Sequence, residues 1–205
     1  KVLLKNKNIL ILSDDIYEHV KFDNFKFFTI AQIKKLKDRT LTMNGVSKAY
    51  AMTGWRIGYA AGPKNIIAAI RKIQSQSTSN PSSISQAAAV EALNGTQSFI
   101  KKRAKSFSDR RNFVVNYLNS IPGITCLMPK GAFYVFPSCK GLIGKKTKIK
   151  NDTDFVQKLL EKQNVAVVQG SAFGLDGYFR ISYATSMKKL KIAMERIKLF
   201  CESLG

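Results

Sequence analysis

Two basic residues, Lys48 and Arg56, stand apart because neither belongs to a run of charges. Both lie in a segment of mostly small and apolar residues, NGVSKAYAMTGWRIGYAAG, from Asn44 to Gly62. A lysine in partly apolar surroundings can lose its proton and act as an amine nucleophile toward a carbonyl carbon. An arginine in a glycine-containing bend suits bidentate binding of a phosphate or carboxylate. The alternative is that Lys48 is a solvated surface residue and Arg56 belongs to a structural ion pair.

An acid and a phenol follow the run NILILS, which is typical of a buried strand, in the string SDDIYEH. Open α/β sheets place ligand-binding groups at the carboxyl ends of their strands, which is where Asp14 and Tyr17 fall. An acid there can pair with a cationic ring nitrogen, with the phenol nearby. The alternative is that Asp14 or Asp15 caps a following turn. We expect His19, the only histidine, to be structural.

A third candidate is Arg180, which lies within the apolar strand-like run FRISY. A half-buried arginine needs an anionic partner. The chain has only 13 acidic residues for 34 Lys and Arg residues, so internal partners are scarce. The partner is therefore either an internal acid or an external anion.

The pattern of apolar residues predicts the elements that would position these groups. Strand-like runs occur before Asp14, before Lys48 and after Arg56. Helical periodicity then predicts helices at residues 65–74, 84–93 and 98–118, with Pro81 as a first helical residue capped by Asn80. Beyond them, short strands near 124–127, 131–136, 165–168 and 179–183 alternate with helices at 152–162 and 187–204. The order indicates a large α/β part followed by a small α+β part.

The net charge of +21 supports a different class of function, because such a balance can indicate a nucleic-acid partner. The excess lysines are spread along the whole chain, however, and no basic stripe interleaved with aromatic residues accompanies them. We therefore keep a basic nucleic-acid-binding protein as an alternative only.

Composition narrows the remaining classes. The three cysteines are far apart and form no CxxC motif, so neither a disulfide framework nor a thiolate zinc site is expected, and with one histidine we expect no metal. No apolar run reaches membrane-spanning length, and the basic and apolar start carries no cleavage site. We expect a soluble, cytoplasmic protein without a membrane partner.

Several strings resemble those of one enzyme family. SKAYAMTGWRIGY is similar to the cofactor-lysine segment of class I aminotransferases, the pyridoxal 5'-phosphate enzymes of fold type I, and most similar to the bacterial aspartate aminotransferase branch. SDDIYEH resembles the family's SDEIYEH, and FRISYA matches a family segment. VVQGSAFG resembles the family's VVPGSxFG, with Gln169 in place of a proline. We expect this replacement to loosen a turn rather than remove a function.

The resemblance implies a role for each candidate residue. Lys48 would carry the cofactor covalently and act in catalysis. Arg56 would hold the cofactor phosphate, Asp14 the pyridinium nitrogen and Tyr17 the ring hydroxyl. Arg180 would bind the substrate α-carboxylate.

The resemblance also implies a fold and a domain organisation. It covers essentially the whole chain but only about the C-terminal half of a family enzyme. We expect residues 1–95 to form the C-terminal part of a mostly parallel, cofactor-binding large domain, and 121–205 a small α+β C-terminal domain. A bridging helix would occupy 96–120. The first part of the α/β domain would then be absent.

The implied activity is transamination, with aspartate and 2-oxoglutarate as the substrate pair. The implied assembly is a homodimer in the full-length form, or a pairing with a complementary N-terminal chain. Two forms of this hypothesis remain open: a piece of a full-length transaminase, or an inactive remnant of a split gene. Another pyridoxal-phosphate reaction, such as β-elimination, would use the same cofactor residues.

Overall fold

The computed structural model describes residues 1–204. The chain forms two compact units, Lys1–Ala104 and a second unit that begins at Lys105. The division falls within one long helix, Ser98–Asn119 (α5). The division into 1–95, 96–120 and 121–205 remains a prediction.

The first unit contains a three-stranded sheet in the order β1-β2-β3. The strands are β1 (Ile11–Asp14), β2 (Thr40–Gly45) and β3 (Gly58–Ala61). β1 pairs with β2 in parallel and β2 pairs with β3 antiparallel. The carboxyl ends of β1 and β2 and the amino end of β3 therefore lie side by side. They form one edge of the sheet, made of strand ends and not of an outer strand.

The strand predicted over NILILS begins later than expected, at Ile11, and Ile11 is its one buried residue. Ile9, Leu10 and Leu12 expose 47%, 68% and 62% of their surface. β1 is the edge strand of the sheet that residues 1–204 form, with β2 as its hydrogen-bonded neighbour. An apolar run thus predicts a strand correctly here, while its burial depends on neighbours that the run itself does not specify.

The helices of the first unit are α1 (Val2–Lys5), α2 (Lys34–Lys37), α3 (Lys64–Gln76) and α4 (Ser83–Asn94). The prediction that Pro81 opens a helix capped by Asn80 is wrong. The N-cap is Ser82, without a side-chain capping bond. The Pro81 carbonyl instead accepts a hydrogen bond from the Gln86 side chain at 2.9 Å, which places Pro81 before the first turn.

The second unit contains a small antiparallel sheet in the order β4-β6-β5. Its elements after α5 are β4 (Tyr134–Val135), α6 (Asp152–Gln163), β5 (Val168–Gln169), β6 (Phe179–Ser182) and α7 (Met187–Glu202). The strand predicted near residue 125 is only a single bridge, between Thr125 and Ser138. Order and type of the remaining elements agree with the α+β prediction.

Three fully buried aromatic rings join the elements of the second unit. Phe155 of α6 lies 5.1 Å from the ring of Phe179 in β6 and 5.3 Å from that of Phe200 in α7, between centroids. α6 is fixed at its start by Asn151, whose side chain accepts from the Asp154 N–H at 2.8 Å. The cluster and the cap hold α6 against the strand that carries Arg180.

Within residues 1–204, none of the helices is long and apolar enough to cross a membrane. α5 is the longest, and its charged residues lie between Lys101 and Arg111.

Replacing Phe155 by alanine tests the aromatic cluster. Because Phe155 is fully buried, the cavity left behind should lower the free energy of unfolding by about 3–5 kcal/mol. Urea denaturation of the full chain, followed by far-UV circular dichroism, measures this. Leu160→Ala on the same helix is the matched control. Its side chain is 48% exposed, so its effect should stay within about 0.5 kcal/mol. Equal losses in both variants would contradict the packing described.

Candidate active site

The two aspartates at the end of β1 have different surroundings. Asp15 is buried, accepts a hydrogen bond from the Ser13 hydroxyl at 2.8 Å, and donates its N–H to the Met43 carbonyl at 2.9 Å. Asp14 is exposed, and its Oδ1 accepts from the Ile16 N–H at 3.2 Å. Asp15 therefore ties β1 to β2, while Asp14 is presented at the sheet edge. Its turn bond agrees with the capping alternative and still leaves the carboxylate at the surface.

Tyr17 lies in the turn that follows Asp14. Its side chain is half-buried, and its carbonyl accepts from the Val20 N–H at 2.9 Å. The turn is linked to β2 through Glu18, whose carboxylate accepts from the Asn44 amide at 2.6 Å. The phenol of Tyr17 and the carboxylate of Asp14 thus lie within four residues of each other at the end of β1.

Lys48 lies in the loop between β2 and β3 and is half-buried. The loop is closed by two backbone bonds of 3.4 Å, from Val46 N–H to the Ile57 carbonyl and from Met52 N–H to the Val46 carbonyl. Val46 and Ile57 are buried and pack with Ala89 of α4. The loop that carries Lys48 is therefore anchored in the core rather than freely solvated.

Arg56 occupies a left-handed backbone conformation, with φ of 57°. This region is uncommon for a residue with a side chain. The guanidinium is exposed and donates from Nη1 to the Thr53 carbonyl at 2.9 Å. In the described part of the chain, no carboxylate forms an ion pair with Arg56. The structure therefore does not support the structural-ion-pair alternative.

The sheet topology brings Asp14, Lys48 and Arg56 to one edge. Asp14 ends β1, Lys48 comes three residues after β2, and Arg56 comes two residues before β3. An open pocket of about 410 Å³ at this sheet is lined by Asp14 with Asn44, Tyr59 and Arg71, but its lining does not include Lys48 or Arg56. Arg71 is a pocket residue that the sequence did not single out, because it falls among ordinary helical positions of α3.

His19 packs in a polar network rather than in a catalytic arrangement. Its Nε2 lies 3.5 Å from a Glu18 oxygen, and its ring lies edge-on to Tyr50 at 6.4 Å between centroids. The Tyr50 hydroxyl donates to the Gln97 side chain at 2.9 Å. Burial, with the charge of Glu18, raises the pKa of Tyr50, so the hydroxyl stays a donor at neutral pH. This network links the turn after β1 to the loop of Lys48.

The cysteines and the acidic residues offer no further reactive site. Cys126, Cys139 and Cys201 are buried, and burial raises their thiol pKa values to about 11, 12 and 12. Thiols of this kind are poor nucleophiles at neutral pH because the thiolate is the reactive form. Among residues 1–204, no cluster of three or more His, Cys, Asp or Glu side chains could hold a metal ion.

In the second unit, the guanidinium of the half-buried Arg180 contacts two aromatic rings. Its guanidinium carbon is 4.7 Å from the Tyr134 ring centroid and 4.5 Å from that of Phe173. No ion pair of Arg180 with a carboxylate is found within residues 1–204. Its contacts are therefore with ring faces, and the internal-acid alternative has no support. Neither ring was predicted to contact it, although Phe173 belongs to the motif VVQGSAFG.

Gln169 retains a proline-like backbone. Its φ of −61° and ψ of 145° are values that proline adopts. The turn after it is closed by a bond of 2.7 Å from the Gly170 N–H to the Tyr178 carbonyl. Whether glutamine loosens this turn stays a prediction.

Comparison with known proteins identifies the family. Residues 1–197 match the sequence model of aminotransferase class I and II. The aspartate aminotransferase of Rhizobium meliloti strain 1021 is 58% identical over 210 residues, covering 100% of this chain and 51% of that protein. A probable aspartate/prephenate aminotransferase of Rickettsia typhi is 57% identical over 209 residues, covering 100% and 52%.

Solved structures show the same relationship in three dimensions. The crystal structure of the Rhizobium meliloti aspartate aminotransferase matches with a TM-score of 0.94 at 59% identity, over 98% of this chain and 52% of that one. An aromatic aminotransferase from Pyrococcus horikoshii matches with a TM-score of 0.89 at 37% identity, over 98% and 53%. The family resemblance and the α/β fold class, part of fold type I, are therefore confirmed. The chain spans about half the length of the curated relatives it matches.

Gly45→Ala tests the close approach that shapes the Lys48 loop. A Cβ at residue 45 would lie 2.9 Å from the Ile57 carbonyl oxygen and 3.3 Å from the Gly58 Cα. Because both are backbone atoms, β2 and β3 would have to separate, and we expect a loss of about 1–3 kcal/mol in unfolding free energy. Fluorescence of Trp55, the single tryptophan, follows unfolding of this unit in urea.

Gly54→Ala is the matched control for this variant. A Cβ at residue 54 would meet no atom within 4 Å, so we expect a change within about 0.5 kcal/mol. If Gly45→Ala were as stable as this control, the close approach of the two strands would be wrong.

Proposed function

Because the chain belongs to the aminotransferase class I and II family, we propose that its residues serve pyridoxal-phosphate-dependent amino-group transfer. Proteins of this family use pyridoxal 5'-phosphate. The observation that carries the proposal is the common sheet edge at which Asp14, Lys48 and Arg56 follow or precede neighbouring strands.

The chemistry of these side chains fits the cofactor. A carboxylate suits a protonated ring nitrogen, a phenol suits a ring hydroxyl, an amine suits an aldehyde, and a guanidinium suits a phosphate. When bound, pyridoxal phosphate supplies an electron-accepting ring to a substrate amino group. Asp14, Tyr17, Lys48 and Arg56 would hold it.

Asp14 would keep the ring nitrogen protonated, because a nearby negative charge favours the cationic form. Its exposed position at the end of β1 supports this, since Asp15 beside it is committed to joining the strands. Tyr17, in the following turn, would donate or accept at the ring hydroxyl.

Lys48 would bind the cofactor covalently and, once displaced by an amino acid, move a proton to and from the substrate α-carbon as general acid and base. The core anchoring of its loop supports this role, because proton transfer needs a fixed donor–acceptor geometry. Arg56, strained and without an internal carboxylate partner, would bind the cofactor phosphate.

Arg180 would bind the α-carboxylate of the substrate, since ring faces cover its guanidinium and leave its N–H donors to an external anion. We propose aspartate as the amino donor and 2-oxoglutarate as the acceptor. The names of relatives support aspartate, and some of them also name prephenate, which makes it a second acceptor to assay.

The proposal also covers the assembly, the cellular location and the domain division of the protein. We propose that catalysis takes place in a homodimer, or with a complementary N-terminal chain, and in the cytoplasm. The large domain would comprise residues 1–95, the bridging helix 96–120 and the small domain 121–205. The chain spans about half the length of its relatives, which supports the proposal that the complete site uses residues outside this chain.

Reductive trapping tests the role of Lys48. The 205-residue chain is mixed with pyridoxal phosphate, reduced with borohydride and mapped by mass spectrometry. We expect stoichiometric labelling of Lys48 that is lost in Lys48→Ala, because only a lysine in a formed pocket reacts preferentially. Lys64→Ala is the control, since Lys64 is an exposed lysine of the same unit. Labelling scattered over many lysines would contradict the proposed pocket and favour an inactive remnant.

The phosphate role of Arg56 is tested by comparing two ligands. We expect Arg56→Gln to weaken pyridoxal phosphate binding by about 10- to 100-fold, the size of a lost charge-assisted hydrogen bond. Pyridoxal, which lacks the phosphate, should bind equally to both proteins in absorbance titrations. Lys64→Gln controls for the loss of one positive charge. Equal weakening for both ligands would show that Arg56 supports the fold rather than the phosphate.

Product analysis separates transamination from β-elimination. With aspartate and 2-oxoglutarate, transamination yields a new amino acid and a new 2-oxo acid. β-Elimination instead requires an amino acid with a leaving group on its β-carbon, such as serine, and yields ammonia and a 2-oxo acid without any amino acceptor. Nucleic-acid binding, the remaining alternative, would appear as affinity that falls steeply with salt.

A further inference from the structure

A buried carboxylate in the second unit has no role in the scheme above. Asp152, the first residue of α6, exposes only 2% of its surface. No ion pair between Asp152 and a cation is found within residues 1–204. Its Oδ2 instead accepts from the Ser171 N–H at 2.7 Å. A buried charge is costly unless such bonds compensate it, so this position needs an explanation.

The Ser171 N–H that Asp152 binds belongs to the loop Gly170–Gly177. Burial alone would raise the pKa of Asp152, but hydrogen bonds from Ser171 and the backbone of Gly177 outweigh it, and the pKa lies below its ordinary value. The carboxylate is therefore ionised at neutral pH. Its hydrogen bond to Ser171 lies at the start of the loop.

The loop is tightly closed. Leu175 N–H bonds to the Gly170 carbonyl at 3.1 Å, and Gly174 N–H bonds to the Ser171 carbonyl at 3.0 Å. A Cβ at Gly170 would lie 2.3 Å from the Leu175 carbonyl oxygen, so glycine is required there. The loop consequently has little freedom once Asp152 holds Ser171.

Phe173 lies in this loop, and its ring covers the guanidinium of Arg180 at 4.5 Å. Phe173 is 47% exposed, so core packing alone does not fix it. An edge-on contact with Phe136 at 5.8 Å is its other ring contact in the described chain. Its position over Arg180 therefore depends on the loop that carries it.

We propose that Asp152 is a positioning residue for carboxylate binding: it holds the Gly170–Gly177 loop so that Phe173 covers Arg180 and orients its guanidinium. This inference rests on the proposed role of Arg180. The competing explanation is that Asp152 only stabilises the start of α6, as an acid in a first helical turn does.

Asp154 separates the two explanations. It lies in the same first turn, accepts from the Lys150 N–H at 2.8 Å and pairs with Lys158 at 3.0 Å. It thus supports the helix start without contacting the loop. Asp154→Asn is the matched control for Asp152→Asn.

The experiment has two readouts on the full chain labelled with ¹⁵N-arginine. The first is the ring-current shift of the Arg180 Nε–H resonance in the ligand-free protein, assigned by its loss in Arg180→Lys. The second is the affinity for succinate, used as a dicarboxylate probe. We expect Asp152→Ala to lose the ring-current shift and to weaken succinate binding about tenfold. Asp152→Asn retains an oxygen acceptor and should be intermediate, and Asp154→Asn should match wild type in both.

A double-mutant cycle tests independently whether Asp152 acts through Phe173. Phe173→Leu removes the ring without touching Asp152, so it should reproduce the loss of the ring-current shift and the weaker binding. If Asp152 acts through Phe173, adding an Asp152 substitution to Phe173→Leu should cost little more. Asp152→Asn serves in this cycle if Asp152→Ala fails to fold, as judged by circular dichroism.

The outcomes distinguish this inference from the proposed function. Wild-type shifts and affinities in the Asp152 variants, or effects additive with Phe173→Leu, would overturn the positioning role. Equal effects of Asp152→Asn and Asp154→Asn would overturn it too, in favour of helix capping. If wild type and Arg180→Lys bound succinate equally, the substrate role of Arg180 would fall. The ring-current comparison would then still decide whether Asp152 places Phe173.

Discussion

The site in the first unit depends on one constraint, the pairing of β2 with a parallel strand on one side and an antiparallel strand on the other. The parallel register sets Asp14 opposite Met43, and the antiparallel register sets Gly45 opposite Gly58. Because of these two registers, an acid after one strand, a lysine after the next and an arginine before the third share a sheet edge. A shift of one residue would turn every side chain to the other face.

The sequence predicts this part well because strand ends are local signals. An apolar run followed by Asp14, and another followed by Gly45, identify the sheet edge without knowledge of the rest of the fold. Helices with clear periodicity, such as α3 and α5, are also found within a few residues of their predicted bounds. The predicted burial of the first strand fails, since burial is a property of neighbouring elements and not of the run itself.

What could not be predicted depends on contacts between distant residues. Tyr134 and Phe173 are 39 residues apart in the sequence. Both contact Arg180 because β4 pairs with β6 and because the loop after β5 folds back toward β6. Asp152 resembles an ordinary acid in a first helical turn, and Asp154 two residues later is one. The burial of Asp152 and its bond to Ser171 distinguish it from Asp154, which pairs with Lys158. Local pattern thus locates the charged groups, while tertiary packing determines their surroundings.

The surroundings matter because the chain carries 34 basic residues, so positive charge alone cannot distinguish a binding site from the rest of the surface. A solvated lysine attracts any anion weakly, since water screens the interaction. At Arg180, two ring faces lie within 4.7 Å of the guanidinium carbon, and the side chain is half-buried. Lower local polarity strengthens an ion pair, and a planar guanidinium that packs on ring faces suits bidentate binding of a planar carboxylate. If Arg180 binds the substrate carboxylate as proposed, selectivity for that carboxylate would come from the aromatic rings that pack on Arg180, and therefore from the residues that hold those rings in place.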